Sequence, residues 1–394
     1  MVHSAHCCLW YFLASFLLFQ SPSLCGTDAR IGECAKLLAS SPIKIAMTES
    51  ALETLHWARK NHLPPTPDSG KTLFLRARFS AELQRNPDLV CVQHFKPWAD
   101  ALQANGFPVQ PQLPTETPVS TSVFSTNEFQ RILLLPARQR LENRALLAQA
   151  AQRLAPGGIL ITAQQNTEGA KSLQSDCEAL LGQVRFESKA KCRVIWAGAD
   201  RLNVALAQAW TNLDVIQPIG AGEFLSRPGV FAWDRIDVGS GLLAEYLPND
   251  LTGRGADLGC GYGFLGARAL LSNPAIAQLE SFEADYRALE LAKANLTRFG
   301  ARASAFHWHD VSQGLGQSDF DFILSNPPFH VGRADAPDLG LSFIASASAA
   351  LRAGGRFLMV ANQHLSYETT LKQKFSAVRT LVQDRGFKVL EAIR

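Results

Sequence analysis

The 394-residue chain predicts an α/β protein made of two tandem copies of one doubly wound sheet, the first degenerate and the second equipped for chemistry. Three observations predict it. In the second half, short apolar strands alternate with amphipathic helices, the pattern of a mostly parallel sheet covered on both faces. The stretch Leu154-Ala155-Pro156-Gly157-Gly158-Ile159-Leu160-Ile161 parallels Leu351-Arg352-Ala353-Gly354-Gly355-Arg356-Phe357-Leu358, and Phe129 to Pro136 parallels Phe320 to Pro327. Only the second copy carries a glycine loop, Asp257-Leu258-Gly259-Cys260-Gly261-Tyr262-Gly263.

In the second copy, Leu251 to Gly255 is a turn and Ala256-Asp257-Leu258 a buried strand. Gly259, Gly261 and Gly263 permit positive φ and close approach of backbone to a ligand. Apolar residues from Phe264 to Leu271 predict a helix, whose free N–H groups at the start suit an anion or nucleotide. A dinucleotide site or a plain tight turn shares the glycine spacing. Asp257 favours a ligand with an ammonium group over one presenting a pyrophosphate there.

Gln278 to Asp285 is the next strand, with an acid at its tip. Glu283 stands where a doubly wound sheet holds ribose hydroxyls, and a carboxylate accepts from both. A solvated helix start is the plainer reading of Glu283 and Asp285. The amphipathic stretch Tyr286 to Phe299 is a helix stopped by Gly300. Ala303 to His307 is a third strand, followed by Asp310, which is either the acceptor for the exocyclic amine of an adenine or a helix N-cap.

The fourth strand, Phe320 to Ser325, runs into Asn326-Pro327-Pro328-Phe329. An exocyclic amine on a base is a poor nucleophile because its lone pair is delocalised into the ring. Two acceptors aimed at its hydrogens free that pair. The side-chain oxygen of Asn326 and the carbonyl of Pro327 are the candidates, with Phe329 as a stacking face. No strong base is required, only positioning and electrostatics. A proline-rich turn is frequent after a strand. In a doubly wound sheet, however, the first and fourth strands are neighbours at the switch point, so Asp257 and Asn326 would face one crevice.

These stretches resemble class I, S-adenosylmethionine-dependent methyltransferases. With Pro228-Gly229-Val230-Phe231, Asp237-Val238-Gly239-Ser240, His330 and the closing Gly386-Phe387-Lys388-Val389, they resemble more narrowly the ribosomal RNA guanine-N2 methyltransferases. The resemblance covers residues 230–394. It implies two Rossmann-like methyltransferase domains, S-adenosylmethionine as cofactor, Asp257, Gly259, Gly261, Glu283 and Asp310 at the cofactor, and Asn326 to Phe329 at the guanine amine. Glu283 stands where relatives often have aspartate, which keeps the ribose chemistry. The Asn-Pro-Pro core is shared with enzymes of adenine N6 and protein glutamine. Those acceptors, a small molecule, and a non-catalytic RNA-binding assembly factor are the alternatives.

The first copy has lost the chemistry. Its strand, Thr72 to Ala77, leads into no glycine loop, and Leu135 stands in the place of Asn326. The expected division is a leader-like extension at 1–46, a degenerate RNA-positioning domain at 47–215 and a catalytic domain at 216–394, with Gly220, Gly222, Pro228 and Gly229 in the linker. A net charge of +3 is compatible with an RNA or ribosomal-subunit partner without demanding one. Arg76, Arg78, Arg131, Arg138, Arg140 and Arg144 are expected near the ligand-facing end of the first domain. The eight cysteines form no C-x-x-C or Cys/His cluster, so neither a metal nor a disulfide framework is expected. Cys7 to Phe19 is apolar but has no basic residue before it and is short for a membrane span. Translation from Met47 is the preferred account. A cytoplasmic monomer without stable membrane association is expected.

Overall fold

The computed structural model describes residues 49–62, 70–113, 128–328, 330–331, 334–335 and 337–394. The leader-like segment, Met47 and Phe329 lie outside the described residues.

The first sheet contains β1 (Thr72–Leu75), β2 (Leu89–Val92), β3 (Val109–Gln110), β4 (Phe129–Leu134), β5 (Leu154–Gln165), β6 (Arg185–Lys189) and β7 (Cys192–Gly198). Its helices are α1 (Glu49–Asn61), α2 (Lys96–Ala104), α3 (Arg140–Ala151), α4 (Ala170–Leu181) and α5 (Val204–Thr211). A hairpin, β8 (Gln217–Ile219) with β9 (Phe224–Ser226), follows. The second half runs α6 (Val238–Glu245), β10 (Gly253–Leu258), α7 (Phe264–Ser272), β11 (Ile276–Glu283), α8 (Tyr286–Leu296), β12 (Ala303–Trp308) and β13 (Phe320–Ser325). It closes with β14 (His330–Val331), β15 (Ala334–Asp335), α9 (Pro337–Ala350), β16 (Leu351–Asn362), α10 (Glu368–Lys374), β17 (Ala377–Asp384) and β18 (Phe387–Ile393).

The two seven-stranded sheets have one topology. Their orders are β3-β2-β1-β4-β5-β7-β6 and β12-β11-β10-β13-β16-β18-β17. The first five strands of each are parallel, and the last two add antiparallel pairings. The paired Gly-Gly motifs have a common cause. Phe129 pairs with Leu154 and Arg131 with Ile159, just as Phe320 pairs with Leu351 and Phe322 with Arg356, so both sheets skip the same residues. A Cβ on Gly158 or Gly355 would lie about 3 Å from the carbonyl oxygens of Phe129 or Phe320 respectively. Each second glycine is therefore required by the same bulge.

Each sheet is packed on both faces. Leu258, Phe282, Ile323 and Phe357 lie under one set of helices in the second half, with Leu279, Phe322, Leu324 and Leu358 under the other. The segment between the copies is tied to the second one. Phe224 of β9 is buried in the second core, and the Asn295 side chain accepts from the Leu225 N–H (2.8 Å) while donating to the Leu225 and Tyr262 carbonyls.

The two copies meet through equivalent positions. Phe95 and Asp285, the N-caps of α2 and α8, form an antiparallel bridge, with Lys96 N–H donating to the Ala284 carbonyl (2.8 Å) and Tyr286 N–H to the His94 carbonyl (2.9 Å). A buried charge cluster surrounds it. Glu142 receives Arg287 (2.7 Å) and Arg76 (3.2 Å), Arg287 also reaches Asp285 (2.8 Å), and His94 lies between Arg76 and Asp285. Arg76 donates to His94 Nε2, so the ring proton sits on Nδ1 and goes to Asp285. Burial and the two arginines hold His94 below its usual pKa.

Of the basic residues expected near the ligand-facing end of the first copy, Arg76, Arg78, Arg138, Arg140 and Arg144 follow the carboxyl ends of β1 and β4, and Arg131 does not. Arg76 is inside the interface, Arg78 lies 3.6 Å over the Trp98 ring, and Arg131 is a buried mid-strand residue of β4. Arg140 and Arg144 are at the surface, but both converge on Asp176. Apolar spacing does not distinguish an arginine that points to solvent from one that bridges two domains.

Candidate functional site

The site forms at the carboxyl ends of β10 and β13, which are adjacent and parallel, with Leu258 paired to Ser325. Ser325 Oγ donates to the Leu258 carbonyl (2.9 Å) and holds the two strand ends together. Beyond β10, Gly259, Gly261 and Gly263 all take positive φ. The loop is pinned by the N–H groups of Gly259 and Cys260, both on the Phe282 carbonyl, and by the Gly261 N–H on Glu283 Oε2 (2.8 Å). Helix α7 starts directly after Gly263.

An open hollow lies over this loop. Its floor is Gly259, Cys260 and Gly261, and one wall carries Asn326, Asp237 and Ser240. Phe231, which is 66% exposed, and Ala232 also line it, with Tyr262, Phe264 and Leu265. A buried thiol such as Cys260 is held well above its normal pKa and offers no nucleophile.

Of the predicted cofactor residues, Gly259 and Gly261 line the hollow. Asp257 is fully buried beneath it, with Oδ2 accepting from the Gly266 N–H (3.0 Å) and Oδ1 left without a partner. Burial pushes its pKa up to about 7, against the Gly266 hydrogen bond, and the Glu283 charge pushes the same way. Glu283 accepts from the Asp285 and Gly261 N–H groups, and burial likewise raises it to about 7. Asp310 caps the short turn Val311–Gln313, receiving the Ser312 N–H and hydroxyl. Asp285 is the N-cap of α8. These residues fit a ligand that brings positive charge: two raised carboxyls and one orphan buried oxygen lie close under an open glycine cradle.

Asn326 follows β13 and Pro327 is buried after it. The Asn326 Nδ2 donates to Asp237 Oδ2 (3.0 Å) and Ser240 Oγ (2.7 Å), while its Oδ1 is buried without a partner. Phe231, Asp237 and Ser240 are therefore parts of the wall and rim to which sequence reading assigned no role. The signal was present in the stretch Pro228 to Ser240, but nothing in the spacing ties a residue at 237 to one at 326. Among the described residues no group of His, Cys, Asp and Glu side chains could hold a metal ion.

The sheet order and the glycine-floored hollow define a class I methyltransferase fold, and residues 221–391 match the methyltransferase small domain family. Two similar proteins are the ribosomal RNA small subunit methyltransferases C of Vibrio vulnificus (strain CMCP6), 32% identical over 66% of this chain and 76% of that one, and of Shewanella loihica, 29% identical over 67% and 77%. A solved structure, the T. thermophilus 16S rRNA N2 G1207 methyltransferase in complex with AdoMet and guanosine, covers 86% of this chain and 92% of its own at 26% identity, with a TM-score of 0.69. The chain belongs to the ribosomal RNA small subunit methyltransferase C family.

Proposed function

We propose that this chain transfers a methyl group from S-adenosylmethionine to the exocyclic N2 of a guanine in ribosomal RNA. The observation that carries the reading is the unpartnered Asn326 Oδ1, a buried acceptor on the wall of a hollow floored by Gly259 and Gly261. S-adenosylmethionine, when bound, supplies a methyl group on a sulfonium, which leaves as a neutral thioether. The glycine loop and Glu283 hold the ribose side, Asp257 supplies negative charge beneath the loop, and Asp310 takes the adenine end. Asn326 Oδ1 and the Pro327 carbonyl accept the two amine hydrogens and free the lone pair. The nitrogen that gains the methyl group is cationic until one proton passes to water. Phe231, exposed at the rim, offers a stacking face for the base, the role that the sequence also suggests for Phe329.

Residues 216–394 form the catalytic domain, and residues 47–215 hold the RNA, as a cytoplasmic monomer acting on ribosomal RNA or a subunit. The relatives' names and the lost site of the first copy support this division. Among the described residues, no helix is long and apolar enough to cross a membrane. Deleting the gene and mapping rRNA modification by mass spectrometry tests the reading. Loss of one N2-methylguanosine is expected. Loss of an N6-methyladenosine, or an unchanged rRNA, would overturn it.

A further inference from the structure

Asn326 is useful only in one orientation. Its amide presents an acceptor on one side and two donors on the other, and a flip of the side chain would set NH₂ against the NH₂ of the target base. The chain carries a device that selects the productive face. Asp237 Oδ2 and Ser240 Oγ, 89 and 86 residues away in sequence, both receive Asn326 Nδ2, at 3.0 and 2.7 Å. An ionised carboxylate only accepts, so it takes the nitrogen and turns Oδ1 away. The same Asp237 oxygen is the N-cap of α6 and receives the Ser240 backbone N–H at 2.8 Å, which fixes the carboxylate before any substrate arrives. Asp237, Ser240 and Asn326 share the wall of the hollow.

We propose that Asp237 and Ser240 are positioning residues for methyl transfer. They lock the Asn326 amide with its oxygen toward the target amine, and the Asp237 charge polarises that amide so that Oδ1 accepts more strongly. This rests on the role of Asn326 given above. The charge is needed most as the amine nitrogen becomes positive, so the pair acts on the rate and not on cofactor affinity.

The plainer possibility is that Asp237 only caps α6, and Asp237→Asn separates the two. Asparagine caps a helix about as well as aspartate, so the fold is preserved. It keeps the capping oxygen, which also receives Asn326 Nδ2, and removes the charge that polarises the Asn326 amide. The assay is single-turnover transfer from tritiated S-adenosylmethionine to small ribosomal subunits reconstituted with unmodified rRNA, alongside calorimetric cofactor binding. Asp237→Asn is expected to lower the rate about tenfold or more and Ser240→Ala about threefold, with cofactor affinity within twofold. In an Asn326→Ala background, Asp237→Asn should cost nothing further, because the residue it positions is gone. Full turnover in both Asp237→Asn and Ser240→Ala, or an equal loss from Asp237→Asn in both backgrounds, overturns the positioning role and leaves Asn326 as the acceptor. Full turnover in Asn326→Ala overturns the catalytic reading itself, and the positioning role with it.

Discussion

The two halves of the molecule are the same sheet with different residues at four equivalent points. Phe74, Arg76, Gln93 and Leu135 of the first stand where Asp257, Gly259, Glu283 and Asn326 stand in the second, as the strand registers establish. Backbone geometry persists where chemistry does not. Arg76 holds a φ of 55°, close to the 70° of Gly259, and Ala77 N–H donates to the Val92 carbonyl as Cys260 does to Phe282. Gln93 still accepts from the N–H two residues on, as Glu283 does, but its amide nitrogen donates to the Ala77 carbonyl and closes the place where the second copy is open. The first half also lacks a helix between β1 and β2, where α7 stands in the second. The left-handed Arg76 costs about 1 kcal/mol relative to glycine, and in exchange its side chain joins the buried cluster between the copies. The corner that carries Gly259 in the second copy carries an interface residue in the first.

The largest expected effect comes from breaking that interface. Glu142→Ala should lower stability by about 3–5 kcal/mol, because Arg76 and Arg287 would remain buried without their shared carboxylate. Urea denaturation measures it, and a loss below about 1 kcal/mol would mean the cluster is well solvated.

Exchanging the differing residues between the copies tests which of them carry the chemistry. Asn326→Leu puts the first copy's residue into the second and should cut methyl transfer about a hundredfold or more, with cofactor affinity within a few-fold. The mirror change, Leu135→Asn, buries an amide where Leu135 is 3% exposed. It should destabilise by about 1–3 kcal/mol without creating a second site. Calorimetry should give one cofactor per chain in both, and a stoichiometry of two would refute the asymmetry.

The carboxyls give a pH test that the first copy, with Phe74 and Gln93, cannot contribute to. Asp257 and Glu283, raised to about 7 by burial, bind more protons folded than unfolded between about pH 4 and 7. Stability of the cofactor-free protein should therefore fall as pH rises through that window. A cationic cofactor favours the ionised forms, so its affinity should rise about tenfold from pH 6 to pH 8 per group ionised on binding. Asp257→Asn and Glu283→Gln should each flatten the profile measured by titration calorimetry.

The smallest expected effect concerns RNA. Reversing charge at Arg138 and Arg140 should weaken RNA affinity a few-fold and lower its salt dependence, since Arg140 already shares Asp176 with Arg144. Identical slopes for wild type and the double variant would reject an RNA role for both.

Much of this was legible from local pattern. Phe320 to Ser325 matches β13 residue for residue, and the predicted helix 264–271 differs from α7 by one residue. The helix expected to run to Phe299 stops at Leu296, and a tighter turn continues to Arg302 with Gly300 at a φ of 58°. Two of the linker glycines, Gly220 and Gly222, proved to be in the turn of a hairpin, because Phe224 on its second strand has an apolar place to go in the neighbouring core.

The two sheets, the glycine cradle and the Asn-Pro-Pro turn are written in local sequence. Each rests on periodicity or on a backbone conformation that few residues adopt, and both are local. The orientation of the Asn326 amide, the burial of Asp257 under the loop and the place of Arg76 in the domain interface emerge with folding. Those outcomes depend on the burial of charge and on contacts between residues far apart in the chain, such as Asp237 with Asn326 and Glu142 with Arg287. A desolvated polar group must find a partner in space, and its neighbours in sequence do not say which.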